Sequence, residues 1–160
     1  MGLPGGLRLR RYEPGDYDQV WALHMEGVIQ TRSMYPEVDE HYEDDFRNLD
    51  GAYLGEGANF WVVEGADGLI GMTAIARIDA ATGRLRRMRV TEAWRRKGVA
   101  EALLDHAIAF CRACGYTRLI LDTTREQAAA HHLYEKAGFV KTGERVLGPF
   151  TVYDYVLALA

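Results

Sequence analysis

The sequence contains no apolar run near the ~20 residues that a membrane-spanning helix needs, so we expect no membrane span and no membrane partner. Its N-terminal residues show no hydrophobic segment followed by a cleavage site, and a cytoplasmic location is therefore expected. The 160 residues include two cysteines, too few for a disulfide scaffold. No repeat or linker divides the chain, which predicts a single domain over residues 1–160.

The two cysteines, Cys111 and Cys114, form a C-x-x-C pattern that can indicate redox chemistry or half of a zinc site. No second cysteine pair or Cys/His pair stands at zinc-binding spacing. Both residues fall late in an apolar-faced helical segment, where free cysteine behaves as a small buried hydrophobe. We interpret both as core residues and expect no metal, with a redox or metal-binding pair as the alternative.

The net charge of −4 is unevenly distributed along the chain. Acidic residues dominate from Glu37 to Asp50, which is interpreted as a solvated helix face, the alternative being a surface for a cationic substrate. Basic residues dominate from Arg84 to Lys97, where Glu92 is the only acid. A single-sign cluster in an acidic protein predicts a local anion site rather than a nucleic-acid-binding face, so no nucleic-acid partner is expected. The cluster comprises Arg84, Arg86, Arg87, Arg89, Arg95, Arg96 and Lys97.

The residue patterns predict a mixed α/β chain with one βαβα unit after the basic cluster. Strands are predicted at 7–12, 59–65, 69–78, 84–90, 118–123, 139–146 and 151–159, and helices at 17–30, 39–49, 98–114 and 125–137. Leu85 and Met88 cannot share one face of a regular strand. We therefore expect a β-bulge near Arg86 and Arg87, a feature often found beside active sites.

The segment from Leu85 to Leu104 reads as a strand, a basic turn and the start of an apolar-faced helix. Free amides at a helix N-terminus carry a partial positive charge, and flanking cations add to it. Gly98 in this turn would let the backbone approach an anion without a Cβ clash. The segment therefore predicts a binding site for a large anion.

Three motifs carry a family resemblance. The segment Arg95-x-x-Gly98-x-Ala100 matches the cofactor loop R/Q-x-x-G-x-G/A of the GNAT superfamily of N-acetyltransferases. The segment Leu133–Phe139, LYEKAGF, resembles the second signature of that superfamily, and Arg11–Asp16 resembles its opening strand and turn. The resemblance covers essentially the whole chain. It implies a GNAT-like α/β fold, with a central mixed, twisted sheet of about seven strands flanked by about four helices.

The resemblance also implies a reaction, in which an acetyl group passes directly from acetyl-CoA to a primary amine. The basic turn would hold the pyrophosphate, and the end of the preceding strand would pair with pantetheine and polarise the thioester. Tyr134 corresponds to the family's general acid toward the departing thiolate. Gln127 stands where the family often has asparagine. The implied cofactor residues are Met88, Arg89, Val90, Arg95, Arg96, Lys97, Gly98, Val99, Ala100 and Gln127.

The acceptor is less well defined by the sequence. The resemblance places it between the first two helices and the last hairpin, which points to Met34, Tyr35 and Tyr153, with Asp122 nearby. Arg86 and Arg87 could attract a carboxylate, which favours a small molecule or amino acid as the amine. The alternatives are a protein N-terminus or lysine, or a sensor that binds acetyl-CoA without catalysis.

No general base can be identified from the sequence. Asp122, Glu126, His131 and His132 lie in the right region, but a structural or solvated role is favoured for each, and a water relay would serve as well. The terminal hairpin is a candidate homodimer contact.

Overall fold

The computed structural model describes residues 3–34 and 40–159, with side chains described for 3–27 and 44–159. Its centre is a sheet of seven strands in the order β1-β2-β3-β4-β5-β7-β6. The strands are β1 (Arg8–Arg11), β2 (Asn59–Gly65), β3 (Gly68–Arg77), β4 (Thr82–Val90), β5 (Arg118–Thr124), β6 (Val140–Leu147) and β7 (Phe150–Ala158). The α-helices are α1 (Tyr17–Met34), α2 (Leu49–Tyr53), α3 (Val99–Ala113) and α4 (Ala128–Lys136). The described elements thus match the mixed α/β fold expected from the sequence.

Each face of the sheet has its own apolar core. On one face, α1 and α2 contribute Val20, Leu23 and Tyr53, which pack on buried residues of β2 and β3 such as Phe60. On the other face, α3 and α4 contribute Leu103, Leu104 and Tyr134 to a larger cluster. These helices bury one apolar stripe each, as amphipathic helices on a sheet do.

The predicted β-bulge is present in β4. Ala74 pairs with Arg86 and Met72 pairs with Arg89, so Thr73 lies opposite two residues, Arg87 and Met88. Arg87 has a φ of 59°, a left-handed conformation that is rare outside glycine. The bulge allows Leu85 and Met88 to join the same apolar cluster, as the sequence required.

The sheet opens between β4 and β5, its one parallel strand pair in the described residues. Their register runs over three residue pairs, from Thr82↔Arg118 to Arg84↔Ile120, and stops there. Beyond Arg84, β4 keeps its pairing with β3 up to Val90, while β5 continues with β7. The two strands therefore separate just where the bulge begins, and a cleft forms between them.

Three expectations need correction. The predicted second helix is a 3₁₀ helix at Glu40–Asn48 followed by the short α2. Cys111 is buried in the core as expected, but Cys114 is exposed. The acidic segment is not wholly solvated, because the Asp45 side chain is only 4% exposed. No described helix is long and apolar enough to cross a bilayer.

Candidate functional site

The turn between β4 and α3 exposes a row of backbone donors. Within the described residues, the amides from Arg96 to Glu101 donate to no acceptor, because the first bond into α3 runs from Ala102 N to the Gly98 oxygen at 3.0 Å. Arg96 and Gly98 have φ values of 61° and 83°, so the chain coils tightly before the helix begins. A Cβ at Gly98 would meet nothing within 4 Å. This turn therefore combines open space with unbonded N–H groups at a helix N-terminus, which is the arrangement that binds phosphates.

The turn is fastened to α1 by Glu26, a residue that the sequence patterns did not single out. Its carboxylate accepts hydrogen bonds from Thr91 Oγ1 at 2.9 Å and from the Glu92 amide at 3.0 Å. Arg95 lies 3.9 Å from the same carboxylate and donates through Nε to the Val90 oxygen at 3.1 Å. The Arg95 side chain therefore folds back onto the end of β4, and it braces the turn.

The remaining predicted residues of the turn divide between solvent and core. Arg96 and Lys97 are exposed, and Lys97 Nζ lies 5.0 Å from the Trp94 ring centroid. Val99 is buried beneath the turn, and Ala100 is partly buried. The turn thus presents backbone donors and two long cationic side chains toward solvent while its apolar residues fix the start of α3.

The cleft between β4 and β5 has a volume of about 230 Å³. Its walls come from the two separated strands and from α4, and Leu147 at the end of β6 reaches it. Met88 and Arg89 on one wall share the cleft with Gln127 and Tyr134 on the other. The structure therefore brings together the predicted thioester strand and the predicted general acid. The lining residues are Arg84, Leu85, Arg86, Arg87, Met88, Arg89, Leu121, Asp122, Thr123, Gln127, Tyr134 and Leu147.

Tyr134 is 5% exposed, and its ring packs at 5.7 Å from that of Phe139 and 6.4 Å from that of Tyr155. Burial raises the pKa of its hydroxyl well above the ordinary tyrosine value, although the charge of Arg89 acts in the opposite direction. The hydroxyl has no hydrogen-bond partner in the described part of the chain. A phenol kept protonated in this way remains able to donate a proton at neutral pH.

Gln127 has a partner inside the protein. Thr123 Oγ1 donates to its Oε1 at 2.6 Å, and Gln127 itself occupies the N-cap position of α4. Its carbonyl oxygen is therefore already engaged, and a cofactor contact through this side chain stays a prediction.

The structure changes the predictions for the acceptor-binding residues more than those for the cofactor-binding residues. Arg87 is not open to a ligand: its side chain is 5% exposed and forms a two-pronged ion pair with Asp45, including an Nε–Oδ2 bond of 2.8 Å. Its guanidinium also lies 4.9 Å from the Phe46 ring centroid. Arg86 reaches the same carboxylate only at 3.9 Å, and 34% of its side chain is exposed. The suggestion that Arg87 attracts an acceptor carboxylate is thus corrected, because Asp45 already matches its charge.

Two of the four candidate bases, Asp122 and His131, have partners within the protein. Asp122 accepts from Arg84 at 2.8 Å and from Arg145 at 2.7 Å, and Arg145 in turn binds Asp154. His131 Nε2 lies 2.8 Å from the Thr124 oxygen. Two guanidinium groups therefore engage the Asp122 carboxylate, and a backbone oxygen engages one ring nitrogen of His131.

The other two candidate bases, Glu126 and His132, are exposed. Tyr153 packs against His131 at 5.0 Å and under Lys141 at 3.6 Å. Met34 lies at the end of α1 with its side chain outside the described part, and Tyr35 lies outside the described residues. The acceptor roles of these residues stay predictions.

The comparisons with known proteins agree with this geometry. Residues 21–139 match the family model described as "Acetyltransferase (GNAT) family". Human N-acetyltransferase 8 is 36% identical over 128 residues, which cover 76% of this chain and 55% of that protein. The N-acetylaspartate synthetase of Danio rerio is 37% identical over 102 residues, covering 62% and 36% respectively. The chain spans about half the length of the first curated relatives it matches.

A solved structure shares the fold. It is a putative acetyltransferase from Salmonella typhimurium, determined with its cofactor acetyl-CoA, and it superposes with a TM-score of 0.77 at 18% identity. The match covers 98% of this chain and 95% of that one. The family match over most of the chain shows that this protein belongs to the GNAT acetyltransferase family.

Proposed function

We propose that the protein is an N-acetyltransferase that moves an acetyl group from acetyl-CoA to the primary amine of a small molecule. The observation that carries the proposal is the continuity of the site. Unbonded amides at the start of α3 lead directly to the unpaired edge of β4, and that edge leads into the cleft that contains Tyr134. One extended ligand with an anionic end and a reactive end fits such a path.

The residues present fit acetyl-CoA at both ends. The amides from Arg96 to Glu101 would hold the pyrophosphate, with Arg96 and Lys97 adding charge from the exposed side. Between Leu85 and Val90, β4 has no strand partner on its β5 side in the described residues, so its main chain is free to bond a pantetheine arm. Acetyl-CoA supplies the thioester that the amine attacks.

Two chemical roles are assigned to the protein's own groups, stabilisation of the developing oxyanion and protonation of the departing sulfur. A β4 amide at the bulge would donate to the thioester oxygen as negative charge develops there, a contact whose removal typically costs about 100- to 1,000-fold in rate. As the new C–N bond forms and the C–S bond breaks, Tyr134 would give its proton to the sulfur. Water would carry away the proton lost by the amine.

A small amine or amino acid is the acceptor class that we favour. Arg86 supports it, because this residue lines the cleft, is partly exposed and lies 3.9 Å from the Asp45 carboxylate, beyond hydrogen-bonding distance. The relative named for N-acetylaspartate synthesis is consistent with an acceptor that carries carboxylates. A protein N-terminus or a lysine side chain is the alternative.

The test is acetyl transfer by the purified protein, followed as release of free CoA thiol with a panel of amino acids, polyamines, aminoglycosides and peptides. We expect transfer to at least one small amine, and mass spectrometry of the product should show one added acetyl group. Binding of acetyl-CoA without thiol release across the panel would favour the sensor alternative. Transfer restricted to peptides would overturn the acceptor class.

Tyr134→Phe tests the assigned proton donor. We expect kcat to fall by about 100-fold or more, with acetyl-CoA affinity in calorimetry unchanged. Tyr116→Phe is the matched control, because this buried hydroxyl donates to the Gly57 oxygen away from the cleft, and kcat should not change. Full turnover in Tyr134→Phe would contradict the role.

A further inference from the structure

We propose that Asp45 is a positioning residue for the transfer reaction: through Arg87 it holds the β4 bulge in the conformation that aims the bulge amides at the thioester. The inference rests on the proposed function and adds to it a residue from outside the cleft. Asp45 lies in the 3₁₀ helix Glu40–Asn48, on the opposite side of the sheet from α3 and α4.

The bulge carries a local conformational cost at Arg87. Arg87 occupies a left-handed conformation in which its Cβ crowds its own backbone, so the residue would relax toward an ordinary strand if nothing opposed it. A relaxed β4 would alternate regularly, and either Met88 or Leu85 would leave the apolar cluster. Thr73 contributes one restraint, since its Oγ1 donates to the Arg86 oxygen at 3.2 Å. That single neutral bond acts on the residue before the bend.

The second restraint is the Asp45–Arg87 pair, which acts on the bent residue. Both side chains are almost fully buried, and the guanidinium meets the carboxylate through two nitrogens. Tyr53 donates its hydroxyl to the same carboxylate, and Phe46 lies against the guanidinium. Burial acts to raise the pKa of Asp45, but the bonds from Arg87 and Tyr53 together with the charges of both arginines outweigh it and hold the pKa below its usual value.

The geometry of the arginines shows what the pair controls. Successive residues on a regular strand point to opposite faces, yet Arg86 and Arg87 both reach toward Asp45. The bend at Arg87 brings both side chains to one carboxylate. Contacts from both arginines therefore favour the bulged conformation over a straight strand.

Pairing of β4 with β5 ends at Arg84, three residues before the bend, and the cleft lies between the two strands beyond that point. Met88 follows the bend directly and lines the cleft with Tyr134. A small rotation of the peptide at this point would misalign a donor to the developing oxyanion while leaving the pyrophosphate turn, which lies further along the chain, intact. An effect on kcat without an effect on cofactor binding is the signature expected of such a residue.

The experiment uses the full chain with acetyl-CoA and its best acceptor. Asp45→Asn should lower kcat by about 100-fold, the scale of loss for a misplaced catalytic group, and leave the Kd for acetyl-CoA within about twofold. Asp44→Asn is the matched control, because this neighbour is 55% exposed and its carboxylate lies 3.9 Å from the exposed Arg47. Its kcat should equal that of the wild type.

A second variant separates positioning from plain stabilisation. Asp45→Asn removes a carboxylate that neutralises the buried Arg87 charge, which destabilises the fold by itself. The double variant Asp45→Asn, Arg87→Gln removes both charges, and we expect its thermal midpoint to recover most of the loss while kcat remains low. Recovery of kcat together with stability would overturn the proposal, because the pair would then serve the fold alone.

The two proposals fail in different ways. A wild-type chain that transfers no acetyl group refutes the proposed function. A wild-type chain that transfers acetyl, together with an Asp45→Asn variant of equal kcat, refutes only the positioning role.

Discussion

The basic segment from Arg84 to Lys97 is continuous in sequence, but its two halves differ in whether their hydrogen-bond donors have partners within the protein. In the strand half, Arg84 and Arg87 each bind an aspartate at hydrogen-bonding distance. In the turn half, Arg96 and Lys97 are exposed, and the neighbouring amides have no acceptor in the described residues. The comparison teaches that a run of like charges marks a ligand site only where the fold leaves its donors unmatched.

The strongest test of this difference is to place a negative charge in the turn, where it would pair with the unbonded amides. Gly98→Glu adds a carboxylate beside the unbonded amides and a side chain at a φ of 83°. We expect acetyl-CoA binding to weaken by more than about 100-fold, or ~2.7 kcal/mol. Isothermal titration calorimetry measures this loss.

Two further variants separate the effect of backbone strain from the effect of charge in Gly98→Glu. Gly98→Ala adds only the left-handed strain, since the space is open, and should weaken binding far less. Gly5→Glu makes the same change in charge where nothing lies within 4 Å and should bind normally. Full affinity in Gly98→Glu would remove the turn from the binding site.

A milder test weakens the contacts between the turn and α1 and changes no residue of the turn itself. Glu26→Gln weakens the acceptor for Thr91 and Glu92 and removes the partner of Arg95. We expect the Kd for acetyl-CoA to rise about fivefold, ~1 kcal/mol, because the bonds are exposed and each contributes modestly. Asp18→Asn, two turns earlier on the same helix, controls for the lost negative charge. If both variants bind alike, Glu26 does not organise the turn.

The smallest effect is expected in the ion-pair network that binds Arg84, a residue of the strand half. Arg145→Gln removes one member of the Arg84–Asp122–Arg145–Asp154 network, whose side chains are 30–46% exposed. We expect the free energy of unfolding to fall by less than about 1 kcal/mol at low salt and by less still at high salt. Urea denaturation at two salt concentrations measures it. A change in acetyl-CoA affinity would contradict the separation of the two halves.

Much of the fold is accessible from sequence because its signals are local. The strand pattern, the hairpin glycines and the conflict between Leu85 and Met88 depend on near neighbours, and that conflict alone predicts the bulge found in β4. The predictions for the turn at Gly98 and for Tyr134 rest on motifs. These residues gather around one cleft, although their catalytic and binding roles await the tests above.

What the sequence could not supply are contacts across long separations. Asp45 meets Arg87 from 42 positions away, and Glu26 meets Glu92 from 66 positions away. In sequence, Asp45 is one acid among several in a polar segment, and charge alone cannot say which of them is buried. Phe46, next to it, was the available hint, since an aromatic residue within an acidic run indicates that one side of the segment packs inward.

The short parallel junction between β4 and β5 has a consequence for how the molecule assembles. Strands β2 to β4 form an antiparallel meander, and β6 and β7 form a hairpin, so each of these groups can pair with segments close by in the chain. Strands β4 and β5 are separated in the chain by the whole of α3. Only three residue pairs between them offset the entropy cost of closing that connection. The candidate site thus lies at the boundary between these two units, where the chain closes a long connection through α3.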